Sequence, residues 1–392
     1  MFTTPQIGLT SRVNARREVH VRTRITCASS SKSITFVRHG QSTWNAEGRI
    51  QGSSNFSVLT PKGQQQASLT RDMVCDMDFD VCLRSPLARA SETADIVWSG
   101  RTQRLVDVKD LREIDLYSFE GLLKDEGVAK FGSQYEKWKK QPENFEIDGH
   151  YPVRELWDRA TTVWEDVLLR QQHSKILVVA HNAVNQALLG SALGVGPNYF
   201  RRLLQSNCAV SKVIISEEFM PNTGLGVELE FFNQTPSSPL GDQKAIVGLI
   251  CGPTSIDEEA LITETVAHML ESTKVTRMMF PSSGASARLA QKILDKNVTH
   301  SFETYIVESV EDILSVLKLG EEPGASIVIH DKCLCQDFIA SSLDLEDGGI
   351  FKLTPGGLSV LNMRGGPAKN PLAMCINHHL HLDDDDDEGD FI

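Results

Sequence analysis

Four side chains stand where short apolar runs give way to polar sequence. Arg38 and His39 follow Ile34, Phe36 and Val37; Arg89 lies just past Ser85-Pro86, beyond the run 79–83; His181 closes the run 176–179. In an open α/β sheet, ligands bind in the crevice beyond the carboxyl ends of the strands. A histidine there can act as a nucleophile, and an arginine offers a planar fork of donors that suits phosphate. Gly40 lets the backbone turn sharply and approach a ligand closely. One Arg-His-Gly tripeptide is weak evidence, but other stretches repeat the design. Parallel strands bring such ends to one edge of one sheet, however far apart they lie in sequence.

The elements needed to position these residues are present. Thr60-Pro61 starts a helix that runs to near residue 77, with an N-cap and then proline in the first turn. A second short strand, 79–83, leads into a helix ending near Trp98. Over 153–169, Leu156, Trp157, Ala160, Val163, Trp164, Val167 and Leu168 share one helical face, so both tryptophans are expected in the core. A buried strand at 176–179 ends at His181, a helix reaches 193, and 210–215 and 227–232 close the sheet. Alternating strand and helix signals predict a layered α/β domain.

Between the second and third strand ends lies LREIDLYSFEG (111–121). With RHGQSTWN (38–45), SPLARASETA (85–94) and His181, the chain resembles the histidine phosphatase, or phosphoglycerate-mutase-like, superfamily over about 33–233. The resemblance implies a three-layer sandwich with a mostly parallel sheet and a reaction that needs no cofactor and no metal. His39 would attack phosphorus, while Arg38, Arg89 and a protonated His181 surround the equatorial oxygens. Glu113 would be the general acid and then the base, with Asp115 and Glu120 as close rivals. Asn45, Gln51 and Gly52 match positions lining phosphate or substrate. Asn182 stands where the family commonly has glycine, and its side chain would narrow or polarise the pocket. The stretch 124–150 carries Lys137, Lys139 and Lys140 but no paired arginines, which favours a phosphatase over a mutase. A regulatory binding protein is the reading from another class, and the intact histidine and arginine set stands against it.

After a linker at 235–243, the chain repeats itself over 244–376. Residues 245–254 echo 34–43, Ser282-Ser283-Gly284 echoes the stretch from Ser85, and 326–330 echoes 175–181, with His330 as the echo of His181. The expectation is a diverged, shortened copy whose chemistry is gone: no Arg-His pair, no counterpart of Arg89, no Glu segment.

The chain has 392 residues, room for two domains, with 41% hydrophobic and 23% charged residues. A formal charge of −13 argues against broad nucleic-acid binding, and no apolar run approaches a membrane span. Eight scattered cysteines without a CxxC pair are expected as reduced thiols. Residues 1–31 carry Arg12, Arg16, Arg17, Arg22 and Arg24 against Glu18 alone, the composition of a transit peptide for a plastid or mitochondrion, or of a disordered basic tail, and Ile25-Thr26-Cys27-Ala28 before Ser29 resembles a plastid processing site. Residues 377–392 are expected as an acidic disordered tail. A transit peptide on such a tandem resembles stromal chloroplast members of the superfamily. These act on a small phosphorylated sugar acid, which would link the chain to Rubisco through that enzyme's inhibitor.

Overall fold

The computed structural model describes residues 31–236, 246–271, 275–297, 302–319, 325–363 and 371–378. Residues 1–30 of the expected transit segment, most of the expected linker and residues 379–392 of the expected tail lie outside them.

In the first half, β1 (Lys32–Arg38), β2 (Val81–Arg84), β3 (Arg104–Asp107) and β4 (Lys175–Ala180) run parallel in the order β3-β2-β4-β1. β5 (Val210–Met220) and β6 (Leu225–Gln234) follow antiparallel beyond β1. The helices are α1 (Thr43–Glu47), α2 (Pro61–Met73), α3 (Ala88–Val97), α4 (Lys124–Phe131), α5 (Ser133–Lys140), α6 (Pro152–Thr162) and α7 (Asn182–Ala192). β4 is apolar after Lys175, and β1 is buried at all but Ser33 and Arg38, because both sheet faces are covered. Ile34, Phe36, Ile176 and Val178 pack with Trp157, Trp164 and Leu188 on one face. Val37, Leu177 and Val179 pack with Ala67 and Ala94 on the other. That alternation makes the expected three-layer sandwich. The apolar stripe after α6 continues through a wider π-type turn, Val163–Leu168, rather than a straight helix.

The second half repeats the plan with β7 (Ile246–Cys251), β8 (Val275–Phe280), β9 (Glu303–Ile306), β10 (Ala325–His330), β11 (Leu358–Asn362) and β12 (Leu372–His378). Its helices are α8 (Ile256–Glu271), α9 (Gly284–Lys296), α10 (Val310–Lys318) and α11 (Lys332–Ser342). The two halves form one sheet, twelve strands among the described residues, in the order β3-β2-β4-β1-β5-β6-β12-β11-β7-β10-β8-β9. Read from either end, the order is the same once each strand is exchanged for its counterpart.

Around the antiparallel β6–β12 contact the hydrogen bonds are reciprocal. Asn233 Nδ2 donates to the Met374 carbonyl at 2.5 Å, and Asn377 Nδ2 donates to the Glu230 carbonyl at 2.9 Å. Both asparagines are left-handed, with φ of 54° and 52°, and both N–H groups donate to a serine, Ser211 or Ser359. Leu203 bridges to Ala373 as Phe351 bridges to Leu229. This is the self-complementary geometry of a two-fold dimer, built inside one chain. It also pairs two strands that would otherwise be open sheet edges. The expected domain end at residue 376 is corrected by this contact: β12 runs to His378, and Asn377 is buried within the interface.

Candidate active site

β1 ends at Arg38, and the His39 N–H donates to the Ala180 carbonyl at 3.0 Å. His39 is thereby set beside the end of β4, where His181 opens α7. The two imidazoles are buried and stand edge to face, 5.1 Å between centroids. His39 Nδ1 lies 2.7 Å from the Gly40 carbonyl. A carbonyl can only accept, so Nδ1 carries the proton and Nε2 keeps its lone pair. His181 Nε2 lies 2.7 Å from Ser85 Oγ, and its Nδ1 is buried without a partner.

Arg38 Nη1 donates to the Gln205 carbonyl at 2.6 Å. Arg89, fully buried on α3, donates to the carbonyls of Ser54 (2.7 Å) and Gly52 (2.9 Å). The Nε of each arginine is buried and unpartnered, the donor inventory of an anion site. Burial and then the charges of Arg38 and Arg89 hold His39 well below the usual imidazole range. Burial followed by Arg89 does the same to His181. Without an anion in place, the surroundings of both rings thus disfavour the imidazolium form. Burial also lowers Arg38, and pushes Arg89 down to about 10, although the Glu113 charge works the other way on both.

The Glu113 carboxylate accepts from the N–H groups of Ile114, Ala183 and Val184 at 3.0 to 3.1 Å. Two of those groups belong to the first turn of α7, where a negative side chain is favoured. Its rivals are occupied elsewhere. Asp115 pairs with Arg112 at 2.7 Å, and Glu120 accepts from Leu116 and Ser53.

The remaining expected residues are fixed by local contacts. The Asn45 side-chain oxygen accepts from Ser42, and Asn207 Nδ2 approaches it at 3.4 Å. Gln51 accepts from Ser42 Oγ at 3.0 Å. Gly52 sits at φ 53°, and a Cβ there would collide with the Glu120 carboxylate, so the turn requires glycine. Asn182 uses its side-chain oxygen to accept from Gln205 N–H and Gln186 Nε2, both at 3.2 Å, so it ties α7 to the 201–209 loop. Gly40 is also constrained by packing. A Cβ there would strike the backbone of Gly63, so its contact is with α2.

Gln205 and Asn207 were not singled out from sequence. Asn207 Nδ2 donates to the His39 carbonyl at 2.9 Å, and Gln205 holds Arg38. Ser85, known only as part of a motif, fixes His181, and Thr93 Oγ1 accepts from Gly40 N–H at 3.1 Å. One signal was available for the loop. It immediately precedes β5, and an antiparallel strand starts at the edge where its neighbour ends.

The second half carries the same frame with other side chains. The Gly252 N–H donates to the His330 carbonyl, as His39 N–H does to Ala180. Gly252 therefore stands in the place of His39, His330 in that of Ala180, and Asp331, the cap of α11, in that of His181. The expected match of His330 to His181 is thus corrected by one residue. By the same register Cys251 replaces Arg38, and Ala285, the second residue of α9, replaces Arg89. A cavity of about 320 Å³ remains there, lined in part by Cys251, Gly252, Ser286, His330 and Asp331. No described helix is long and apolar enough to cross a membrane, and no cluster among the described residues is arranged to hold a metal ion.

The family described as the histidine phosphatase superfamily (branch 1) matches residues 34–221. The chain is 38% identical to a probable 2-carboxy-D-arabinitol-1-phosphatase of Arabidopsis thaliana, over 94% of each chain. It is 54% identical to the 2-carboxy-D-arabinitol-1-phosphatase of Triticum aestivum, over 55% of this chain and 43% of that one. A probable phosphoglycerate mutase, GpmB, of Escherichia coli O1:K1 is 32% identical over 50% of this chain and 90% of its own.

Proposed function

The chain belongs to the histidine phosphatase superfamily and is a phosphoric monoester hydrolase, and on that footing we propose that it works without a metal, through a phosphohistidine on His39. The carrying observation is the grouping of buried His39, His181 and Arg89 with the half-buried Arg38 at the carboxyl ends of β1, β2 and β4. His39, neutral and protonated only on Nδ1, attacks phosphorus through Nε2. The ester C–O oxygen departs with its bonding pair and takes a proton from the Glu113 carboxyl. Water then attacks the phosphohistidine and loses its proton to Glu113. Inorganic phosphate leaves, and the imidazole and the acid are restored. Arg38 and Arg89 offset the charge that gathers on the equatorial oxygens, in a pocket where water does not weaken them. His181 takes up its proton when the dianion arrives, because the anion counters the arginines that hold it neutral.

The substrate we propose is a sugar-acid phosphate, 2-carboxy-D-arabinitol 1-phosphate, acted on in the chloroplast stroma as part of relieving Rubisco of an inhibitor. The names of the Arabidopsis and wheat relatives support this choice. The mutase reading draws on the GpmB name alone, while Lys137, Lys139 and Lys140 on α5 face solvent. The test is phosphate release from 2-carboxy-D-arabinitol 1-phosphate, 3-phosphoglycerate and common sugar phosphates. Preference for the first supports the named substrate. Equal rates on all of them keep the mechanism and remove the substrate, and conversion of 3-phosphoglycerate to its 2-isomer replaces the phosphatase with a mutase.

A further inference from the structure

The 201–209 loop is held on two sides. Towards the pocket, Gln205 accepts from Arg38, Asn207 donates to the His39 carbonyl, and the Cys208 N–H donates to the Arg38 carbonyl at 3.1 Å. Towards the second half, the Ala373 N–H donates to the Arg202 carbonyl at 3.0 Å. The Ser206 N–H donates to Asn233, which reaches Met374. The buried Arg202 guanidinium crosses the boundary as well. It donates to Asp344 Oδ2 at 2.9 Å and to the Ser342 carbonyl at 3.1 Å, and lies 4.4 Å from the centre of the Tyr199 ring. In the mirrored place, before Phe351, stands Ile350. The guanidinium is therefore present in the symmetric frame on the His39 side alone.

We propose that Arg202 is a positioning residue for phosphoryl transfer. Anchored on the end of α11, it fixes the loop whose Gln205 carbonyl aims the Arg38 guanidinium. The inactive half is then the scaffold on which the active one is aligned. This rests on the reading that Arg38 grips the phosphoryl group. A guanidinium displaced by about 1 Å can cost up to roughly a hundredfold in rate.

The test compares wild type, Arg202→Ala, Asp344→Lys and Arg202→Lys in the full chain, with kcat, KM, the dissociation constant of inorganic phosphate and thermal melting read for each. Arg202→Ala is expected to lower kcat/KM by about tenfold or more and to weaken phosphate binding in parallel. Arg202→Lys keeps the charge without the fork, so it recovers only part of this. Asp344 is exposed but pairs with the buried guanidinium at φ 50°, so Asp344→Lys is expected to lower kcat/KM with a smaller loss of melting temperature than Arg202→Ala. In an Arg38→Ala background, Arg202→Ala should weaken phosphate binding little further, because its effect passes through Arg38. Wild-type kinetics and phosphate affinity in a folded Arg202→Ala overturn the proposal. So does an equal loss in both Arg38 backgrounds. If Arg202→Ala does not fold, wild-type kinetics in Asp344→Lys overturn it instead. A wild-type protein that releases phosphate from no ester fails the proposed function first, and the two failures are told apart by that control.

Discussion

The first and second halves of the chain share a strand order, a register and a pair of buried asparagines at their junction, yet only the first carries the histidines and arginines proposed to transfer a phosphoryl group. Arg38, His39, Arg89 and His181 face Cys251, Gly252, Ala285 and Asp331 at the same four backbone positions. Three cationic or titratable groups have become small and neutral, and the fourth has become an acid that repels a phosphoryl dianion. The cavity has survived the loss of its charges. A fold can thus keep its crevice for structural reasons while the function resides in a few side chains at the strand ends.

Exchanging a cation for its neutral counterpart breaks this contrast most sharply. Arg89→Ala removes a buried guanidinium held by two carbonyls with its Nε left free, and is expected to lower kcat by about 10² to 10³-fold. Ala285→Ser at the matching position in the second half should leave kcat within about twofold, since surface or spectator changes are small; steady-state assays of both decide. Glu113→Gln keeps the shape and removes the proton donor. It should lower kcat by about 10²-fold, and less for esters with acidic leaving groups, in a leaving-group series.

The junction offers a comparison of a different kind. Asn233→Ala and Asn377→Ala each strip buried partners from mirrored positions, and each should cost about 1–3 kcal/mol in denaturant unfolding. Only Asn233→Ala should also slow turnover, because Asn233 accepts from the Ser206 N–H in the loop proposed to aim Arg38.

The smallest expected effect is on stability against pH. His39 and His181 are held well below the ordinary 6.5, so the unfolded chain binds protons that the folded chain refuses. The stability in question is present above about pH 6.5 and is lost as pH falls towards the folded values. Melting of the wild type should therefore drop more steeply between about pH 6.5 and 5 than melting of His181→Gln, which leaves one such group.

Much of this was legible in the sequence because strand ends carry chemistry. His39 and His181 follow apolar runs whose parallel pairing sets them at one edge, and Arg89 opens a helix after a third. The mirrored order of the second half was foreshadowed by repeated strand and helix signals, but its register was misplaced by one residue. His330-Asp331 reads like Ala180-His181 only when histidine is matched to histidine, and a backbone hydrogen bond decides otherwise. β3 and β9 gave little signal because both are short, half-exposed edge strands without clean alternation. Gln205 and Asn207 lie in a loop with no apolar period, and their roles follow only from where β5 begins. The joining of β6 to β12 depends on complementary edges far apart in the chain, which no local pattern records.

The most direct measurement is a rapid acid-free quench of the protein with a radiolabelled sugar-acid phosphate, followed by peptide mapping of the protein-bound label. The account predicts an acid-labile, alkali-stable phosphohistidine at His39, absent from His39→Ala, with no label on His330 or anywhere else in the second half. Turnover by His39→Ala at the wild-type rate, or label on a residue other than His39, would contradict it.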